Sequence, residues 1–187
     1  MLQRRRFITA SLLLGTPALH AQPGDFWATL RAGGHIVLMR HAITEPGVGD
    51  PPDLRLGECR TQRNLSDLGR EQARRVGAAF GREGVRVDAV RSSAWCRCVD
   101  TAQLAFGAHA VWAPLNSFFG GQGAREAQTR AVLAEVRTLP AGATWVYVTH
   151  QVNITALTGE TLAMGELFAT RPDASGERLQ VIARHVP

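Results

Sequence analysis

Arg40, His41, Arg97 and His150 each fall just beyond a segment whose residue pattern predicts a β-strand. Residues 35–39 form an apolar run bounded by Gly33 and Gly34, and they lead into Arg40 and His41. Residues 87–92 form a second strand pattern, followed by Ser93 and then Arg97. Residues 144–149, dense in β-branched and aromatic side chains, lead into His150. In open parallel sheets ligands gather outside the carboxyl ends of the strands, so two arginines and two histidines could converge on one crevice. Guanidinium forks hold the oxygens of a phosphoryl group, and a neutral imidazole can attack its phosphorus. The chemistry suggested is phosphoryl transfer.

The elements that must position these residues alternate along the chain. Asp25 is placed to cap a short helix through Leu30. Residues 45–64, with Pro46, Pro51 and Pro52, read as one long irregular loop of the kind that is usually functional or mobile. A helix is expected from Ser66, with Arg70 and Glu71 outside and Leu68, Ala73, Val76 and Phe80 facing the core. Further helices are expected over 94–106 and 124–139, a helical turn over 154–157, and extended pieces at 111–112, 166–170 and 179–183. Alternation of strand and helix predicts an α/β domain with a mainly parallel sheet.

With 45% hydrophobic and 20% charged residues, the 187-residue chain fits one globular domain and excludes a fibrous or largely disordered protein. All 21 basic residues are arginine, which rules out a lysine Schiff base and a P-loop lysine. Residues 1–21 read as an export signal: Arg4, Arg5 and Arg6 precede a short apolar stretch, and a small-residue cleavage site ends at Ala21. That stretch is too short to span a bilayer, and no membrane span is expected in the mature chain. Arg4-Arg5-Arg6-Phe7-Ile8 resembles a twin-arginine signal, the alternative being an ordinary Sec signal. The expected mature domain is therefore residues 22–187, periplasmic or otherwise exported. Without residues 1–21 it holds 18 basic and 16 acidic residues, a net charge of +2. Near balance argues against a polyanion-binding surface, and the dispersed arginines give no nucleic-acid signature. In an oxidising compartment Cys59 is expected to bridge to Cys96 or Cys98, which lie too close on a predicted helix to bridge each other. A Cys-x-Cys zinc site with a histidine is the alternative, but it lacks standard ligand spacing.

Leu38-Met-Arg-His-Ala42 resembles the Arg-His signature of the histidine phosphatase superfamily, the phosphoglycerate mutase-like proteins. Three further segments agree with that family in order and spacing: Asn64 to Ala73, Ser92 to Arg97 with Thr101 and Ala102 behind it, and Val148-Thr-His150 followed by Thr158 and Gly159. The resemblance spans roughly residues 34–160. It implies a three-layer α/β sandwich with a mainly parallel central sheet, and neither cofactor nor metal. It also implies that His41 is the transiently phosphorylated nucleophile, with Arg40, Arg97 and His150 around the phosphate. His150, if protonated, would be a further donor to the phosphate oxygens. Arg63 is either another phosphate contact or a loop charge.

The general acid is where the sequence departs from the family pattern. The acid-phosphatase branch has aspartate directly after the second histidine, where this chain has Gln151. The mutase-like branch has an acidic residue in the interval before that histidine, and residues 115–119 contain none. Glu45, Glu126 or no residue at all fills the role. The activity implied is an exported phosphatase acting on a small phosphomonoester. The alternatives are a catalytically weak phosphate-binding protein and a phosphohistidine-protein phosphatase. Ser92 and Ser93 lack the surroundings of a serine nucleophile and are expected to cap the following helix. Trp95, Trp112, Trp145, Phe118 and Phe119 are expected in the core or the pocket wall, and Asn64 and Asn153 in structural roles.

Overall fold

Five helices and six strands make up residues 25–187, the part of the chain described by the computed structural model; the export signal expected over residues 1–21 lies outside them. Asp25 caps α1 (Phe26–Ala32), its carboxylate accepting from the N–H groups of Trp27 and Ala28. β1 (His35–Arg40) follows, and after a long connection come α2 (Asp67–Arg82), β2 (Ala89–Ser92) and α3 (Cys96–Phe106). β3 (Ala110–Val111) and α4 (Arg125–Val136) precede β4 (Thr144–Thr149), α5 (Gln151–Thr158), β5 (Leu167–Pro172) and β6 (Leu179–His185). No helix among the described residues is long and apolar enough to cross a membrane.

The sheet order is β3-β2-β4-β1-β5-β6. The first four strands are mutually parallel, whereas β5 and β6 are antiparallel to their neighbours. The antiparallel edge has a local cause. Asp173 N–H donates to the Arg178 carbonyl at 3.0 Å, closing a tight turn, and so short a connection joins only antiparallel strands. Pleating sends alternate residues of β1 to opposite layers. Val37 and Met39 pack with α1, α2 and α3, while Ile36 and Leu38 pack with α4 and α5. Both faces are therefore covered, which is why residues 36–39 read as a continuous apolar run.

One expectation for α2 fails. Ala73, Val76 and Phe80 are buried as expected, but Leu68 is 60% exposed. The helix phase is set instead by Gly69, against which the backbone after β1 packs so closely that a Cβ there would lie 1.8 Å from the Ile43 carbonyl oxygen. Ser66 caps the helix through Gly69 N–H at 3.2 Å, and its own N–H reaches the same Ile43 carbonyl.

This contact predicts opposite outcomes for two glycines of one helix. Gly69→Ala gains about 1 kcal/mol of helix propensity but overpacks, for a net loss of about 1–2 kcal/mol. Gly81→Ala, with nothing within 4 Å of its Cβ, gains up to about 1 kcal/mol. Urea unfolding midpoints check both.

Candidate active site

Because β2, β4 and β1 are adjacent and parallel, their carboxyl ends lie side by side. The ladder continues one residue past the strands: His41 N–H donates to the Thr149 carbonyl and Ser93 N–H to the Val148 carbonyl, each at 3.0 Å. His41 and Ser93 are thereby placed by main-chain bonds to β4, and His150 is the residue directly after that strand. Arg40, His41, Arg97 and His150 all line one cleft of about 330 Å³, together with Arg63. All four residues expected from the sequence meet there, and Arg63 proves to be a member of the cleft.

His41 is buried, its ring centroid 5.6 Å from that of His150. Its Nδ1 lies 2.9 Å from the Ala42 carbonyl oxygen, which can only accept. The proton therefore sits on Nδ1 and the lone pair on Nε2. Ala42 is held in turn, its N–H donating to Thr101 Oγ1 at 3.0 Å, while Gln72 Oε1 accepts from Ile43 N–H at 3.1 Å. Burial first, and then the Arg97 charge, push the His41 pKa down to about 3. At neutral pH His41 is an uncharged imidazole with its nucleophilic nitrogen fixed.

His150 is buried too, and burial together with His41, Arg97, Arg40 and Arg63 holds its pKa well below the ordinary value. Its Nδ1 lies 3.4 Å from Arg97 Nη2, a group that can only donate, so Nε2 carries the proton and donates to Ser93 Oγ at 2.8 Å. The condition on which His150 would be a further donor, a second ring proton, is therefore not met in the free site, where it is neutral. The capping expected of Ser92 and Ser93 fails: Trp95 is the N-cap of α3 and makes no side-chain cap bond, Ser92 Oγ is buried without a partner, and the Ser93 hydroxyl accepts from Trp95 N–H at 3.3 Å and orients His150 instead. The Trp95 ring packs edge-on against His150, its centroid 5.3 Å away.

Sequence reasoning missed Asp50. Its carboxylate meets Arg97 end-on, Nη1–Oδ1 at 2.7 Å and Nη2–Oδ2 at 3.1 Å, with side chains only 5% and 7% exposed. It also accepts from Arg63 N–H at 3.0 Å and from Trp95 Nε1 at 3.1 Å. Although burial alone would raise it, these donors together hold the Asp50 pKa below the ordinary carboxylate value. Asp50 lies in the proline- and glycine-rich loop, where nothing but its charge marks it out. Cys59 and Cys96 form a disulfide that ties the same loop to the start of α3, beside Arg97. This resolves the choice left open for Cys59 and removes one thiolate from the zinc alternative. Cys98 is free and buried, and its thiol is pushed up to about 12.

Arg40 Nη1 donates to the Leu162 carbonyl at 3.0 Å and contacts Gln151 Oε1 at 3.5 Å, so Gln151 helps to place Arg40. The Nε atoms of Arg40, Arg63 and Arg97 are buried without a protein partner. Three guanidinium charges face one carboxylate and two neutral imidazoles, leaving two positive charges unmatched in the cleft. That balance suits a phosphomonoester dianion. α5 also begins at the cleft, bringing the positive end of its dipole there. Cys96 N–H at the start of α3 is different, being already taken by Gln62 Oε1 at 2.9 Å. Glu45 and Glu126 are both exposed and neither lines the cleft; Glu126 lies in a groove along α4. Phe119 is a cleft wall, Trp95 is buried, and Trp112 and Trp145 pack on the α4–α5 side. Asn64 Nδ2 donates to the Cys59 carbonyl at 2.7 Å and buried Asn153 to the Asn116 carbonyl at 2.9 Å, which are structural roles. No group of three or more metal-ligating side chains occurs among the described residues.

The family model described as "Histidine phosphatase superfamily (branch 1)" matches residues 36–117. No curated protein matches the chain. Solved structures do. A protein histidine phosphatase, SixA, in complex with tungstate is 15% identical with a TM-score of 0.56, the match covering 82% of this chain and 97% of that one. A putative phosphohistidine phosphatase SixA from Agrobacterium tumefaciens is 17% identical, TM-score 0.55, covering 83% and 99%. A putative alpha-ribazole-5'-P phosphatase from Escherichia coli is also 17% identical, TM-score 0.56, covering 83% and 100%. At such identities the likeness establishes the fold.

Two outcomes follow from this geometry. Breaking the disulfide, whose partners are 37 residues apart, by Cys59→Ser with Cys96→Ser costs about 4 kcal/mol on the chain-entropy model, read as a lower thermal midpoint. His41 titrates near 3 in the folded protein against 6.5 in the unfolded chain, so between those values the unfolded chain binds a proton that the folded one refuses. Stability present above pH 6.5 is thus lost as pH falls towards 3, by about 5 kcal/mol for His41. Urea midpoints at pH 7 and pH 4 differ more for the wild type than for His41→Gln.

Proposed function

We propose that this chain, whose residues 36–117 match the family model of the histidine phosphatase superfamily (branch 1), is an exported phosphatase that hydrolyses a small phosphomonoester through a phosphohistidine on His41. The observation that carries the reading is a neutral, tautomer-fixed His41 at the wall of a cleft with two unmatched positive charges. Nε2 attacks phosphorus as the P–O bond to the ester oxygen breaks and its electron pair leaves with the alcohol, and the positive charge that then develops on the ring is met by the Nδ1–H bond to the Ala42 carbonyl. Arg40, Arg63 and Arg97 hold the phosphoryl oxygens and offset their charge in the transition state. A bound dianion reverses the electrostatics around His150, so the imidazole that refuses a proton in the free site takes one on Nδ1 and donates it to a phosphoryl oxygen. Water then attacks phosphorus, the P–N electron pair returns to His41, and the water protons leave on phosphate.

Phosphohistidine in a protein is the second reading, favoured by the lack of any cleft carboxylate besides Asp50, since imidazole departs with less acid help. The name of one similar structure, a protein histidine phosphatase, points the same way.

The test is phosphate release from an activated aryl phosphate by residues 22–187 without added metal, beside two variants. His41→Ala loses about 10³-fold or more and forms no acid-labile phosphoprotein. Arg97→Lys, which cannot keep both the Asp50 fork and a phosphate contact, lowers kcat about 10²-fold. A wild type that binds phosphate but releases none from the ester is a binding protein instead.

A further inference from the structure

Among the described residues Asp50 is the one carboxylate that lines the cleft, and it is committed elsewhere. Asp50 accepts four hydrogen bonds, two from Arg97, one from the Arg63 main chain and one from the Trp95 indole. Four donors around two oxygens leave no site for a proton. The segment bearing it is pinned by the Cys59–Cys96 disulfide and by Arg63 Nη1, which donates to the Gly47 carbonyl. The other acids considered are exposed and outside the cleft. Cys98 and Tyr147, buried groups that could carry a proton, do not line the cleft. His150, which gains a proton only with the dianion bound, spends it on a phosphoryl oxygen beside Arg97, so protein groups supply positive charge to the phosphoryl oxygens and nothing to the leaving oxygen.

Among the described residues Arg40, Arg63 and Arg97 are the only cations that line the cleft, and the phosphoryl oxygens take all three, so none is left to meet a second phosphate or a carboxylate on the leaving group. Val48 is 91% exposed and Phe119 54% exposed, and with Val152 they give the mouth apolar faces, while Gln122 and Gln151 add neutral polar groups. A Cβ at Gly49 would lie 3.6 Å from the edge of the Phe119 ring, so the two glycine-rich segments come close together at the cleft.

We infer that the site is specific for monophosphates of acidic hydroxyls borne on an uncharged, flat apolar group, that is aryl phosphates, and that it works without a general acid, with Asp50 a positioning residue for Arg97. This deepens the proposed function and rests on it. In the first step the His41 Nε2–P bond forms and the P–O bond breaks. The electron pair leaves with the aryl oxygen, which takes its proton from solvent afterwards.

The experiment measures kcat/KM, which reports this first step, for the mature protein on uncharged aryl phosphates of graded phenol acidity and on a simple alkyl phosphate. The expected result is a steep fall as the phenol becomes less acidic. The alkyl ester should be slower than the most acidic aryl ester by at least about 10²-fold, the smaller end of what a general acid supplies. Asp50→Asn, which disturbs Arg97, should lower every ester by a common factor. Turnover nearly independent of phenol acidity, or comparable turnover of the alkyl ester, overturns the inference and leaves the phosphatase reading standing. So does an Asp50→Asn variant that loses basic leaving groups while sparing acidic ones, because Asp50 would then be the acid. Turnover of no ester, with no phosphohistidine formed, overturns both. Should Asp50→Asn fail to fold, the wild-type dependence on phenol acidity decides alone.

Discussion

The parallel pairing of β4 with β1 on one side and β2 on the other is the constraint on which everything else depends. Parallel strands end together, so the residues that follow them are brought to one edge whatever the length of chain between them. Here the pairing runs on for one residue, with His41 and Ser93 bonded to the main chain of β4. His41 and the hydroxyl that orients its partner histidine are fixed by backbone geometry. The helices then cover both faces and keep these strands dry.

On that frame the electrostatics are set by desolvation. Two histidines deep among arginines cannot hold a second ring proton in the free site, and each has one nitrogen committed to a fixed acceptor, the Ala42 carbonyl for His41 and the Ser93 hydroxyl for His150. The remaining nitrogens are free of protons: Nε2 of His41, and Nδ1 of His150, beside Arg97. An uncharged imidazole amid unmatched cations is an arrangement that an isolated imidazole in water would not adopt at low pH. The expected cost is acid sensitivity of the fold.

Arg97 would be a mobile cation without the loop from Glu45 to Asn64. A buried ion pair contributes little to stability by itself, but removing one partner leaves an uncompensated charge. Asp50 thus fixes the geometry of Arg97 and lowers the charge of the cleft at once. The disulfide holds the loop that delivers Asp50 and Arg63, joining two parts of the chain that no regular secondary structure connects. Irregular backbone is the natural place for such residues, because its path is set by specific bonds rather than by a repeating pattern.

The sequence by itself determined the strands and the class of fold, and it pointed to Arg40, His41, Arg97 and His150 as residues that meet at one sheet edge. Each follows or caps an element whose apolar pattern is legible, and periodicity is a local property. The ordered segments carried the family likeness, and their smaller residues prove to brace the site: Thr101 and Gln72 hold the chain after His41. Which face of α2 is buried, the antiparallel turn of the last two strands, the protonation of His150, the choice of Cys96 over Cys98 and the part played by Asp50 were decided only by tertiary structure. Each depends on a neighbour distant in the chain: the Ile43 carbonyl for Gly69, Arg97 for Asp50 and for His150. Spacing along a sequence encodes the period of a helix or strand, but it does not encode which side chain arrives opposite once those elements pack.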